Sequence, residues 1–173
     1  MKRTGITLIL LAFLVSGCAR QEASKTINEN HLYPAKITAA VDGDTVKILF
    51  LKDIPEDCSE KETVRLIGVN TPELNLYKDE EPEYFSQEAY SYTNSYYREE
   101  VLIEFDEVTG LRDRYGRLLA YVWLCNTTML NKNLIEDGYG RYYDAFPFRS
   151  EYMCEFLLAE TDARQNKRGM WGK

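Results

Sequence analysis

Two short stretches carry oxygen ligands of one chemical kind. The first is Asp42-Gly43-Asp44-Thr45 and the second is Asn70-Thr71-Pro72-Glu73. The Asp44 carboxylate, the Asn70 amide oxygen and a main-chain carbonyl near Thr71 are hard donors, suited to Ca²⁺ or Mg²⁺ and not to zinc. Pro72 biases Thr71 toward an extended backbone, which helps aim that carbonyl inward. Glu73 reaches one residue further, where it is placed to hold a water. Arg65 precedes Asn70 on the same segment, and Arg117 sits in a Tyr-Gly-Arg turn. Two guanidinium forks beside a divalent cation and a carboxylate suit phosphate transfer, whose transition state spreads negative charge over equatorial oxygens. The cation polarises a phosphoryl oxygen, and the carboxylate positions or deprotonates the attacking water. Judged singly, each residue has a plainer reading: Asp44 as a turn residue, Arg65 as a surface strand residue, Glu73 as a loop charge. Their joint occurrence favours catalysis.

These residues need a scaffold that brings separate strand ends together. Lys36–Val41 and Thr45–Leu51 flank an Asp-Gly pair, a strong hairpin signal. Residues 62–69 and 101–105 alternate apolar and polar, and 118–124 is a continuous apolar run that predicts a strand buried on both faces. Phe85, Ala89, Tyr92 and Tyr96 recur at helical spacing and predict an amphipathic helix over 81–98, with Pro82 in its first turn. A second helix is predicted from Leu130 to Asp137, stopped by Gly138. A third is predicted from a Ser150 cap to about Lys167, with Met153, Phe156 and Leu157 facing the core, Glu160 partnered by Arg141, and Trp171 covering the core's end. Five strands with inserted and appended helices imply an α+β fold, a small closed barrel with helices packed outside.

The 173-residue chain suffices for one domain with a real core. Its N-terminus reads as a targeting segment, with Lys2 and Arg3 ahead of a short apolar run, Ile6–Val15, and then Ser16-Gly17-Cys18. Small residues before a cysteine resemble a bacterial lipobox. That resemblance implies cleavage of residues 1–17, lipidation of Cys18 and an extracytoplasmic protein held to the membrane by lipid. Polar residues 18–34 then form a tether, and the domain occupies 35–173. The formal net charge of −7 would become −9 after cleavage, which disfavours general attraction to a polyanion, so the positive charges that matter are local. The cysteines are Cys18, Cys58, Cys125 and Cys154. With Cys18 lipidated, the remaining three cannot all pair within one chain; an oxidising compartment allows one disulfide, whose pairing the spacing does not select. The only histidine, His31, lies in the tether, so histidine acid–base chemistry is excluded from the domain.

In order, DGDT (42–45), RLIGVNTPE (65–73), DRYGRLLAY (113–121), LIEDGYGR (134–141) and the closing Trp171 resemble the staphylococcal nuclease family. The resemblance runs from about Ala35 to Trp171. It implies a five-stranded OB-fold barrel with three packed helices, and a Ca²⁺-dependent hydrolase that cuts DNA and RNA at the 5′ P–O bond to leave 3′-phosphates. Carried onto this chain, it makes Asp44 a direct ligand, Asn70 a ligand through its amide oxygen, and Thr71 a ligand through its carbonyl. Glu73, Arg65 and Arg117 become catalytic, with Asp42 a neighbour and not a ligand. The family often has aspartate at the position of Asn70, so weaker Ca²⁺ binding is expected here. Arg112, Arg114 and Arg141 supply local positive charge, and Tyr115, Tyr142 and Tyr143 are placed to stack on or flank bases, with Arg114, Tyr115 and Tyr143 the chosen nucleic-acid contacts. A monomer is expected. The competing reading is a non-catalytic nucleic-acid- or partner-binding module on the same barrel.

Overall fold

The computed structural model describes residues 32–75, 80–125 and 127–172. The expected signal peptide, Cys18 and the expected tether as far as His31 lie outside them. Strand β1 (Leu32–Asp42) turns directly into β2 (Thr45–Phe50), followed by β3 (Lys61–Leu66), β4 (Val69–Asn70) and helix α1 (Ser86–Asn94). Next come β5 (Glu100–Phe105), β6 (Leu118–Cys125), β7 (Thr128–Met129), α2 (Leu130–Glu136), β8 (Arg141–Tyr142) and α3 (Ser150–Gln165), with a 3₁₀ turn at Gly169–Trp171. The main sheet runs β3-β2-β1-β5-β6-β7, and a parallel pairing of β3 with β6 closes it. Among the described residues this is a five-stranded closed mixed barrel with three helices packed on it, the α+β arrangement of an OB-fold.

Alternation explains the barrel interior. Val46, Ile48 and Phe50 of β2 are buried, with Val64 and Leu66 of β3 and Val101 and Ile103 of β5. In β6 every residue from Leu118 to Trp123 is buried, because one face fills the barrel and the other is covered by helices. The both-face burial predicted for 118–124 therefore holds through Trp123, with Leu124 half-buried. β1 begins at Leu32, three residues ahead of the expected domain boundary, because Tyr33 pairs with Ile103 and packs against Phe50 and Phe105.

The structure corrects several local expectations. The run 62–69 is two strands, broken where Gly68 takes φ +76° and any Cβ would lie 2.5 Å from the Phe156 ring. Helix α1 is shorter than 81–98, and Pro82 lies outside it. Residues 81–83 are instead laced to the 73–75 segment: the Glu83 amide donates to the Glu73 carbonyl (2.9 Å) and the Asn75 side chain to the Glu81 carbonyl (2.8 Å). The buried face of α1 is Ser86, Ala89 and Thr93, with Tyr92 and Tyr96 only half-buried. Ser150 is the first helical residue of α3 and not its cap; the cap position is Arg149. Leu157 is exposed, and Tyr152, Phe156, Ala159 and Ala163 form the inner face. Glu160 pairs with Arg164 at 3.1 Å, one turn along the same helix, and Arg141 instead lies against the Trp171 ring (5.6 Å). Cys58 and Cys154 are free thiols.

Candidate active site

The Asp42–Thr45 hairpin turn delivers Asp44. Neither Gly43 nor Asp44 takes a positive φ, so the glycine is not there for backbone freedom. It is there for space: a Cβ at Gly43 would sit 2.6 Å from the Thr71 hydroxyl and 2.9 Å from Ala89 Cβ. The turn is thus pressed between the 70–73 segment and helix α1. Thr93 locks it from the helix side by donating its hydroxyl to the Gly43 carbonyl (2.5 Å). Hydroxyl burial at Thr93 is a site feature that apolar periodicity could not reveal, since the periodicity selects Tyr92 for that face.

Asp44 is buried, and its carboxylate is well supplied with donors. Oδ1 accepts from the Thr45 hydroxyl (3.0 Å), and Oδ2 accepts from the Thr71 amide (3.0 Å) and lies 3.1 Å from Arg65 Nη2. Arg65 is itself almost wholly enclosed. Its Nη1 donates to the Leu66 and Val69 carbonyls (2.7 Å each), and its Nη2 donates to Asn70 Oδ1 (2.9 Å). The Asn70 amide nitrogen in turn lies 3.4 Å from the Thr71 carbonyl. Asp42, beside this group, has its carboxyl pushed up to about 6 by burial and by the neighbouring Asp44 and Glu73 charges, against the pull of the Gly43 and Leu74 amides.

Arg117 arrives from the opposite wall. Asp113-Arg114-Tyr115-Gly116 is a turn with aspartate first and glycine fourth, the pattern that favours type I. The Gly116 amide donates to the Asp113 carbonyl (3.0 Å), and Gly116 has φ +81°. The Asp113 carboxylate then accepts from the Tyr115 amide (2.9 Å), the Arg117 amide (3.0 Å) and Arg117 Nε (2.7 Å). Burial pushes the Asp113 carboxyl up, but these donors and the Arg117 charge outweigh it and hold the carboxyl below the usual range. With Nε tethered, Arg117 reaches Thr45 Oγ1 with Nη1 (3.3 Å). Asp113 is a member of the site that donor type and spacing along the sequence do not single out; its turn signature is the signal that points to it.

The two walls enclose a cleft of about 430 Å³, lined by Arg65, Asn70, Glu73, Arg114, Tyr115, Arg117 and Tyr143 among others. Of the sequence-predicted residues, these seven share the cleft; Asp44 is paired with Arg65 (3.1 Å), and Thr71 is joined to Asp44 through its amide (3.0 Å). Tyr143 stands 5.8 Å from the Arg65 guanidinium carbon, while Arg114 stacks at 4.8 Å on the Tyr115 ring and donates to its hydroxyl (2.7 Å). Three others fall elsewhere. Arg112 is consumed by a two-pronged pair with Glu62 (2.7 and 3.0 Å) that ties the turn's base to the strand. Tyr142 packs against Phe148, and Arg141 lies beside Trp171.

The donor set fits a hard divalent cation in kind. Asp44, Asn70 and the Thr71 carbonyl are all oxygens, and the buried Thr71 hydroxyl has no hydrogen-bond partner among the described residues. In charge the set is poor: it holds one carboxylate, which Arg65 already faces.

Residues 63–173 match the family model described as staphylococcal nuclease homologue. An uncharacterized protein of Methanocaldococcus jannaschii is 31% identical over 166 residues, spanning 84% of this chain and 74% of its own length. Endonuclease YncB of Bacillus subtilis is 30% identical over 149 residues, spanning 84% of this chain and 65% of the endonuclease. The thermonuclease of Staphylococcus hyicus is 29% identical over 180 residues, spanning 97% of this chain and 96% of that enzyme. A barrel of this topology, a cleft carrying the family's motif residues and a sequence match over most of the domain converge on one assignment: the chain belongs to the staphylococcal nuclease family.

Proposed function

We propose that this protein is a Ca²⁺-dependent nuclease that hydrolyses DNA and RNA at the 5′ P–O bond, leaving 3′-phosphates. The observation that carries the reading is that Arg65, Glu73 and Arg117, from three separate segments, line one cleft. Asp44, Asn70 and the Thr71 carbonyl are the residues that would hold Ca²⁺, whose contribution is to polarise a phosphoryl oxygen. Glu73, exposed on the cleft wall, orients the attacking water and accepts its proton. The water oxygen bonds to phosphorus as the bond to the 5′ oxygen breaks, and that oxygen leaves as an alkoxide that takes its proton from solvent water. Arg117, with its Nε held by Asp113, presents its terminal nitrogens to the equatorial oxygens. Arg65, whose four terminal N–H groups are held by Leu66, Val69, Asn70 and Asp44, contributes its charge and its Nε–H to the phosphate from that anchored position. Tyr115, Arg114 and Tyr143 line the space for sugar and base.

The family match and the endonuclease and thermonuclease relatives support this reading. The test is degradation of single-stranded DNA, double-stranded DNA and RNA by the purified chain, in Ca²⁺ and in chelator, with end-group analysis. Cleavage in Ca²⁺ leaving 3′-phosphates is expected; binding without cleavage would make the protein a non-catalytic module.

The same proposal places the enzyme outside the cytoplasm as a lipid-anchored monomer, cleaved before Cys18. The support is the charged start, the short apolar run and the small residues before that cysteine. Mass spectrometry of the membrane-extracted protein should find an acylated N-terminal Cys18, and Cys18→Ser should release the activity from the membrane fraction.

A further inference from the structure

A second, larger hollow of about 650 Å³ adjoins the cleft, and the two share Tyr115 and Arg117. Its floor is the outer face of the β1–β2–β3 sheet. Along β3, Lys61, Thr63 and Arg65 point to that face while Val64 and Leu66 fill the barrel. The register sets Arg65 opposite Thr45, Thr63 opposite Lys47 and Lys61 opposite Leu49. Polar and cationic groups therefore continue outward from Arg65, with same-face neighbours about 6.6 Å apart along the strand, from roughly 3.3 Å of rise per residue. Thr38 of β1 borders the same hollow and donates its hydroxyl to the Lys47 carbonyl (3.2 Å).

The charge of this face departs from that of the molecule. The chain carries −7 overall, yet Lys47 and Lys61 are both exposed, and among the described residues neither has an ion-pair partner. The carboxylate on this wall, Glu62, is taken up by Arg112. Tyr115, 68% exposed and flanked by the Arg114 and Arg117 guanidiniums at 4.8 and 5.4 Å from its ring centroid, stands at the junction of hollow and cleft.

We propose that this face is a track for the flank of a polynucleotide whose scissile phosphate lies in the cleft: Lys47 and Lys61 bind successive phosphates of a single strand, and Tyr115 stacks a base at the point of entry. This rests on the nuclease reading and extends it. It makes the protein favour a substrate several nucleotides long over a dinucleotide. Unpaired lysines spaced along a strand bind a regularly charged backbone without sequence preference.

The test uses the full-length chain, a fluorescently labelled mixed-sequence single-stranded DNA 12-mer and a dinucleotide. Wild type is compared with the Lys47→Ala/Lys61→Ala and Lys47→Arg/Lys61→Arg double variants. In the alanine pair, KM for the 12-mer should rise roughly tenfold with kcat unchanged, and dinucleotide kinetics should not move. In direct binding by anisotropy, the slope of log K against log salt should become shallower by about 1.4, at roughly 0.7 per phosphate contact on a single strand. The arginine pair should behave as wild type. Unchanged 12-mer affinity and salt slope in the alanine pair would overturn the track while leaving the nuclease reading intact. If wild type cuts nothing but the alanine pair still loses 12-mer affinity, the track stands and the nuclease reading fails. No 12-mer binding by wild type would overturn both.

Discussion

Arg65 and Asp44 form a buried ion pair, Nη2 to Oδ2 at 3.1 Å, across the seam between the first hairpin turn and the third strand. The guanidinium also holds three oxygens of its own neighbourhood: the Leu66 and Val69 carbonyls and Asn70 Oδ1. Arg117, by contrast, is 29% exposed in its side chain and is tethered chiefly by Asp113. The two arginines therefore differ physically: one is a structural rivet, and the other is the freer guanidinium, which the proposed function makes the main phosphate donor. Arg65→Lys should cost about 2–4 kcal/mol of stability by stranding buried carbonyls, as well as activity. Arg117→Lys should leave the melting temperature within a degree or two but lower kcat by about 10²–10³, because lysine keeps the charge and loses the fork. Thermal melts paired with cleavage kinetics separate the two; equal melting losses would refute the distinction.

Asn70 leaves the oxygen cluster with one fewer negative charge than aspartate would supply. Asn70→Asp should bind Ca²⁺ at least about tenfold more tightly, since affinity follows ligand charge. The readout is calcium-dependent thermal stabilisation, which reports binding without cleavage. Equal half-saturation in wild type and variant would count against the ligand assignment.

Gly43 meets Thr71 and Ala89 so closely that no side chain fits. Gly43→Ala should push the turn off the 70–73 segment and break the contact between the Thr71 amide and Asp44. The expected result is a loss of about 2 kcal/mol of stability by overpacking and at least about a hundredfold loss of activity. Thr93→Val, which removes the hydroxyl that holds the Gly43 carbonyl, should share the direction with smaller size, about 1–2 kcal/mol.

Asp106 supports the far side of the barrel. Its buried carboxylate accepts from the Tyr121 hydroxyl (2.5 Å), the Val108 amide (2.7 Å) and the Arg149 amide (2.9 Å). Burial pushes the carboxyl up, but these donors and the Arg149 charge outweigh it, so its pKa in the fold is lowered. A lowered folded pKa means stability that is present above the unfolded value near 3.8 and is lost as pH falls through the folded value. Asp106→Asn should thus destabilise by about 2 kcal/mol at pH 7, with the gap to wild type closing only as the pH drops below about 4. Melting curves from pH 3 to 8 check this; a gap that widens toward acid would contradict it.

Much of this protein was written in local pattern. Alternation in 62–66 and 101–105, the apolar run at 118–124 and the Asp-Gly turn specify strands and a hairpin because each depends only on near neighbours along the chain. The donor types at 44, 70, 71 and 73, and the arginines at 65 and 117, likewise announce phosphate chemistry by kind and order. What the pattern could not supply was which group turns toward which. Thr93 points inward although Tyr92 has the better apolar claim, because a carbonyl of the distant hairpin needs a donor there. Arg112 looks like a nucleic-acid contact until Glu62, far along the chain, takes both its prongs. Lys47 and Lys61 become a track only once β2 and β3 pair in register. Periodicity along a chain reports which side of an element is apolar. Charges and hydrogen bonds are satisfied by whatever the closed barrel brings within about 3 Å, and that is decided by tertiary structure alone.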